Sequence, residues 1–286
     1  MSQEKLLGGL NTLVGGAEAG PQLLLLHGVT RQIADLRPIF ERLPPKWGWL
    51  AVDFPGHGKS PHASHDYLVR DYTDSLAPLL ETLDRRPLIL LGNSLGAMVA
   101  AEAAARWPDR IAAAILEEPP FSTMGDRINE SSFDLQFQNV SQLLKRRLPA
   151  DELFAELREI SVRRPSDRSV VRFGDLRDDA SLRTYASYLA EVDPRILDTV
   201  VAGRWLEGYD FEAIAAQIAC PVLLLQGAAE LGGMLTDDEA RRFTRAARNC
   251  RLKKFDNAGH LIHAGAPDAL VDEITRFLAE AQVATP

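Results

Sequence analysis

Short apolar runs, too brief for helices and closed by glycine or proline, decide most of what this chain can fold into. Residues 23–27 are apolar up to His27 and meet Gly28; residues 49–54 stop at Pro55-Gly56; residues 87–91 meet Gly92; residues 111–116 precede Glu117, Glu118 and Pro119-Pro120. Between them lie helix-length segments. Residues 32–43 have helical spacing, residues 67–83 carry a stripe of Leu68, Tyr72, Leu76, Leu79, Leu80 and Leu83, and residues 95–107 are rich in alanine. A continuous apolar run of strand length is buried on both faces, and strands alternating with helices build a parallel sheet covered by helices.

The alternation lapses after Pro119-Pro120. Residues 121–205 are more polar, dense in Arg and Asp, with helical pieces expected at 133–148, 151–160 and 179–191 and no strand-like run. It then resumes with a strand at 221–226, a helix at 237–247, a strand at 251–255 and a last helix at 266–281. The expected fold class is α/β, a mostly parallel doubly wound sheet. Residues 1–120 and 206–286 form the core, and residues 121–205 are a helical cap inserted over one end. Insertions at the carboxyl ends of parallel strands lie beside the crevice where ligands bind.

Composition removes several classes of function. Hydrophobic residues are 46% of the 286, enough to order the chain. Lys plus Arg is 32 against 40 for Asp plus Glu, a formal net charge of −8, and no basic run offers a footprint for nucleic acid or anionic lipid. No apolar stretch approaches the roughly 20 residues of a membrane span, and residues 1–9 lack the pattern of a secretory leader. A soluble cytoplasmic protein, monomer or homodimer, acting on a small molecule is expected. Cys220 and Cys250 have neither disulfide-framework nor metal-ligand spacing and read as buried thiols.

The sharpest local signal is Gly92-Asn93-Ser94-Leu95-Gly96, a G-x-S-x-G motif between an apolar strand and an alanine-rich helix. A serine on so sharp a turn is lifted out at the top of the sheet, at a helix N-terminus whose partial positive charge favours an oxyanion. Serine needs a base. Of His27, His57, His62, His65, His260 and His263, only His260 follows the last strand in an open loop, Asn257-Ala258-Gly259-His260, at the same sheet end as Ser94. His263 reads as a structural or pocket-wall residue, His57 as loop packing, and His62 and His65 as solvated.

The base needs an acid to orient it. Glu118 closes the strand after the serine's helix; Glu230 follows the strand 221–226, three residues beyond Gly227. Glu117 and Glu118, being adjacent, should point to opposite faces. Oxyanion donors are expected from the amides of Leu95 and Val29, the latter in the His27-Gly28-Val29 turn.

These segments, with Asp53-Phe54-Pro55-Gly56-His57-Gly58-Lys59-Ser60, resemble the α/β-hydrolase superfamily over roughly residues 5–120 and 206–282. Most members carry Asp where this chain has Glu230, in Gly227-Ala228-Ala229-Glu230. Zearalenone-type lactonases and one branch of haloalkane dehalogenases instead carry Glu at the end of the strand after the nucleophile helix, and Ile115-Leu116-Glu117-Glu118-Pro119-Pro120 is similar to that arrangement. The resemblance therefore favours Glu118, with Glu230 as the alternative, and serine in place of aspartate argues against dehalogenation. Gly92-Asn93-Ser94 is similar to carbon–carbon bond hydrolases, but Val29-Thr30-Arg31-Gln32 lacks their glycine-rich segment.

The resulting expectation is a serine hydrolase of carboxylic esters or lactones using Ser94, His260 and Glu118, with no metal or organic cofactor. Phe121 and Trp205, at the cap hinges, are expected to form an apolar pocket wall. The alternatives are carbon–carbon or amide bond hydrolysis on the same triad, or a slow-turnover binding protein on this scaffold.

Overall fold

A computed structural model describes residues 2–17, 22–125 and 127–283. Ten strands are described: β1 (Gln3–Leu7), β2 (Leu10–Gly16), β3 (Gln22–Leu26), β4 (Gly48–Val52), β5 (Leu88–Asn93), β6 (Ile111–Glu117), β7 (Ser161–Arg163), β8 (Val170–Arg172), β9 (Val222–Gly227) and β10 (Cys250–Phe255). The α-helices are α1 (Arg37–Phe40), α2 (Val69–Thr82), α3 (Leu95–Arg106), α4 (Asp134–Lys145), α5 (Ala150–Glu159), α6 (Asp179–Leu189), α7 (Asp198–Val201), α8 (Phe211–Gln217), α9 (Asp237–Ala246), α10 (Ile262–Gly265) and α11 (Pro267–Glu280).

Eight strands form one sheet in the order β1-β2-β4-β3-β5-β6-β9-β10. From β4 to β10 every pairing is parallel; β2 runs antiparallel to β4 and to β1. The pleat divides the apolar runs between two cores. Leu24 and Leu26 join the face that carries α2 and α3, while Leu23 and Leu25 join the face that carries α10 and α11. All four are essentially inaccessible. Burial of each contributes about 1.5–3 kcal/mol, which is why consecutive leucines are used where a one-sided sheet would alternate.

The β1–β2 hairpin was not expected: β1 is exposed except at Leu7, which leaves no apolar signature. Residues 32–43 form a 3-10 turn (Ile33–Leu36) and the four-residue α1 rather than one helix. Pro38, at the start of α1, lacks the amide needed to continue an earlier helix. Residues 121–205 hold α4 to α7, but also the antiparallel β7–β8 ribbon, which their polar composition did not announce. Among the described residues no helix is long and apolar enough to cross a membrane.

Candidate active site

The turn between β5 and α3 is tight. Ser94 has φ 54° and ψ −116°, a conformation that costs a non-glycine residue about 1–3 kcal/mol. Its amide donates to the Glu117 carbonyl at 2.8 Å. The motif glycines permit this. A Cβ on Gly92 would sit 2.0 Å from the Gly96 carbonyl oxygen, and one on Gly96 would sit 2.1 Å from the Leu26 carbonyl oxygen.

His260 and Ser94 line one small cavity of about 40 Å³, together with Val29, Asn93, Phe133 and Met234. Asn93 Nδ2 donates to the His260 carbonyl at 3.0 Å, so the residue before the serine ties down the histidine loop. His260 Nδ1 lies 3.3 Å from Glu118 Oε2, and the Phe133 ring stands 5.7 Å from the imidazole. An Nδ1–H donated to Glu118 leaves Nε2 with a lone pair.

Glu118 is fully buried and has φ 55°. The Gly227 amide donates to its Oε1 at 2.6 Å; the Met234 and Leu235 amides donate to Oε2 at 2.5 and 3.3 Å. Those two amides escaped the sequence reading. The available signal was Gly232-Gly233, where Gly232 at φ 93° turns the chain back beneath the carboxylate. Glu230 is exposed on the turn Ala229–Leu231 and makes no hydrogen bond to His260 among the described residues. Val29 lines the Ser94 cavity and Leu95 opens α3 directly after Ser94; among the described residues neither amide donates a hydrogen bond.

Phe121 and Trp205 need correction as wall residues. Phe121 stacks between Phe211 and Phe243 at 4.9 and 4.6 Å, and Trp205 is fully buried. Neither lines the two cavities at His260. Both belong to the hydrophobic core on the face that carries α2 and α3, which draws their rings inward. The walls come from Phe133, Gln136, Phe137 and Tyr185 in the small cavity, and from Phe173, Arg177 and 180–182 in the larger one beside it.

A second carboxylate–imidazole pair stands at the same strand end. Glu117 accepts the His263 amide and His263 Nδ1, both at 2.9 Å, and His263 Nε2 lies 3.4 Å from Asp35. Burial pushes the imidazole down, but Glu117 and Asp35 outweigh it and raise His263 to about 10. Burial likewise pushes the Asp35 carboxyl up, while Arg31 and His263 together hold it at about 2. The two adjacent glutamates thus each face one histidine. Cys220 and Cys250 are half-buried free thiols, pushed up to about 11 by burial.

His27 and His57 brace the turn that carries Val29. His27 Nε2 accepts the Phe54 amide at 3.0 Å and His57 Nε2 accepts the Thr30 amide at 3.2 Å, so both rings are neutral with the proton on Nδ1. Burial lowers them to about 4 and about 3. An unfolded imidazole titrates near about 6.5. The stability these rings contribute is therefore complete above that pH and drains away as pH falls toward the folded values. Calorimetry between pH 7 and pH 4 should show Tm falling over this window, with a shallower slope in His57→Gln; an unchanged slope in that variant would count against the assignment. His62 and His65 are exposed.

Known proteins share this architecture. The model of the family described as "Alpha/beta hydrolase family" matches residues 23–273. The 2-(acetamidomethylene)succinate hydrolase of Mesorhizobium japonicum is 26% identical over 267 residues, 91% of this chain and 88% of that protein. A serine hydrolase-like protein of Danio rerio is 24% identical over 288 residues, 95% and 85% of the two chains. The crystal structure of the enol-lactonase from Burkholderia xenovorans superposes with a TM-score of 0.73 at 17% identity, covering 97% of this chain and 100% of that one.

Proposed function

The chain belongs to the α/β-hydrolase family, and from that premise we propose that it hydrolyses a carboxylic ester or lactone through an acyl-enzyme on Ser94. The observation that carries this reading is the shared cavity. A serine on a strained turn and an imidazole whose far nitrogen faces a buried glutamate line the same small space. Ser94 Oγ attacks the acyl carbon while its proton passes to His260 Nε2. The Val29 and Leu95 amides receive the oxyanion. His260 returns the proton to the departing alkoxide, and Glu118 stabilises the imidazolium between the two transfers. Water, deprotonated by His260, then attacks the acyl carbon and releases the acid and free Ser94. Residues 121–205 act as the cap that roofs this space.

An amide substrate is the second reading. It is favoured by the relative named as a hydrolase of 2-(acetamidomethylene)succinate, a name that carries an acetamido group. The same residues serve it, with His260 protonating a nitrogen leaving group.

A fluorophosphonate probe should label wild-type protein once per chain at Ser94 and leave Ser94→Ala unlabelled. Equal labelling of both, or none of the folded wild type, would overturn the nucleophile. A panel of ester, lactone and amide substrates then ranks the readings by kcat/KM.

A further inference from the structure

The small cavity at Ser94 adjoins a larger one of about 650 Å³, with Arg31, Tyr185, His260 and Leu261 lining both. A second neighbour, of about 250 Å³, shares only Phe133 and Met234 with the Ser94 cavity, so the larger space is the roomier direction for a substrate held at Ser94 to extend. The charges met there are uneven. Arg31 pairs with Asp35 at 3.4 Å, Asp35 faces His263 at 3.4 Å, and His263 pairs with Glu117 at 2.9 Å. Two cations alternate with two carboxylates, so that row is neutral overall. Asp35 is the carboxylate that lines the larger cavity, and its charge is already spoken for by Arg31 and His263.

Arg177 lines the same cavity from the turn before α6, and no carboxylate lies within ion-pair distance of it among the described residues. Arg31 and Arg177 both line this cavity, and burial together with the like charge of Arg31 lowers the Arg177 guanidinium from its ordinary value, a repulsion felt across the space between them. An anion between them removes that repulsion and gains charge-assisted hydrogen bonds. Arg31 is already in position. Its guanidinium lies 4.8 Å over the Tyr185 ring, and the Tyr185 hydroxyl is held 3.1 Å from Thr30 Oγ1. Arg177 is exposed, but a solvated surface role does not account for a cation without a carboxylate partner on a cavity that also carries Arg31 and His260.

We propose that Arg31 and Arg177 form a carboxylate subsite, so that the substrate is an acyl compound carrying a free carboxylate remote from the bond that is cleaved. The proposal rests on the Ser94 reading above for the place of cleavage, and on the cavity alone for the place of binding.

Two arms test it. In the first, the 4-nitrophenyl monoester of glutaric acid is compared with 4-nitrophenyl valerate, which has the same chain length without the carboxylate. Arg177→Gln should lower kcat/KM for the monoester about 10- to 100-fold, the worth of a charge-assisted contact, mainly through KM. It should change the valerate by less than about twofold, and added salt should reproduce the selectivity. Equal effects on both esters, or none on either, would overturn the subsite. In the second arm, calorimetry measures binding of glutarate itself to the Ser94→Ala protein, with and without Arg177→Gln. Weaker binding in the double variant supports the subsite even if neither ester turns over, an outcome that would instead sink the Ser94 reading. Glutarate binding that is absent, or indifferent to residue 177, overturns the subsite whatever the esters do.

Discussion

Glu118→Gln is expected to lower kcat about 10³- to 10⁴-fold, with Glu230→Gln within about twofold of wild type. The buried glutamate receives three backbone amides and faces the His260 ring. Those amides fix the carboxylate, and the carboxylate fixes which imidazole nitrogen bears the proton. A glutamine offers one oxygen and one NH₂. Where the NH₂ meets a backbone N–H, two donors oppose each other; if the side chain flips to avoid this, the imidazole loses its acceptor. In the first orientation the ring keeps an acceptor but loses the charge that stabilises imidazolium; in the second it loses both. The kinetic loss should far exceed the loss of stability, which is about 1–3 kcal/mol for one buried unsatisfied group. The measurement is kcat on protein shown by circular dichroism to be folded, at the optimum of each variant. A reversed ranking of the two glutamates would reassign the acid, and two near-neutral variants would remove it.

The burial behind that expectation was partly legible in the sequence. A carboxylate that ends an apolar strand and runs into Pro119-Pro120 has little chance of being solvated, and Glu118 is fully buried. The parallel sheet was legible for the same kind of reason, since runs such as Leu23 to Leu26 have no polar face to give to water. The elbow was legible because only glycine fits where a Cβ would strike backbone. What escaped had no local signature. The exposed β1 strand carries no apolar pattern, and the β7–β8 ribbon is only three residues to a side. Arg31 and Arg177 lie far apart in sequence, and only the fold brings them to the lining of one cavity. Phe121 and Trp205 were misplaced because position along the chain says nothing about which way a ring turns, and theirs turn into the core.

The neighbouring glutamate separates stability from chemistry. Glu117→Ala is expected to cost about 3–5 kcal/mol, the usual penalty for leaving a buried charge without its partner. His263 is fully buried and keeps only Asp35 at 3.4 Å once Glu117 is gone. The sign with pH follows from the raised imidazole. The folded ring releases its proton near about 10 and an unfolded one near about 6.5. The pair therefore gives its full stability below about pH 6.5 and loses it as pH rises toward 10. Urea titrations at pH 6, 8 and 9.5 should show wild-type stability declining over that range, and the variant declining less from a lower start, because its imidazole is less strongly held. A variant as stable as wild type at pH 6, or one with a steeper decline, would mean that His263 is neutral in the fold and that Glu117 is satisfied by other means. Catalysis should respond through position alone. Glu117 also accepts the His263 amide, and so anchors the loop three residues beyond His260. In the folded fraction the displaced base should lower kcat.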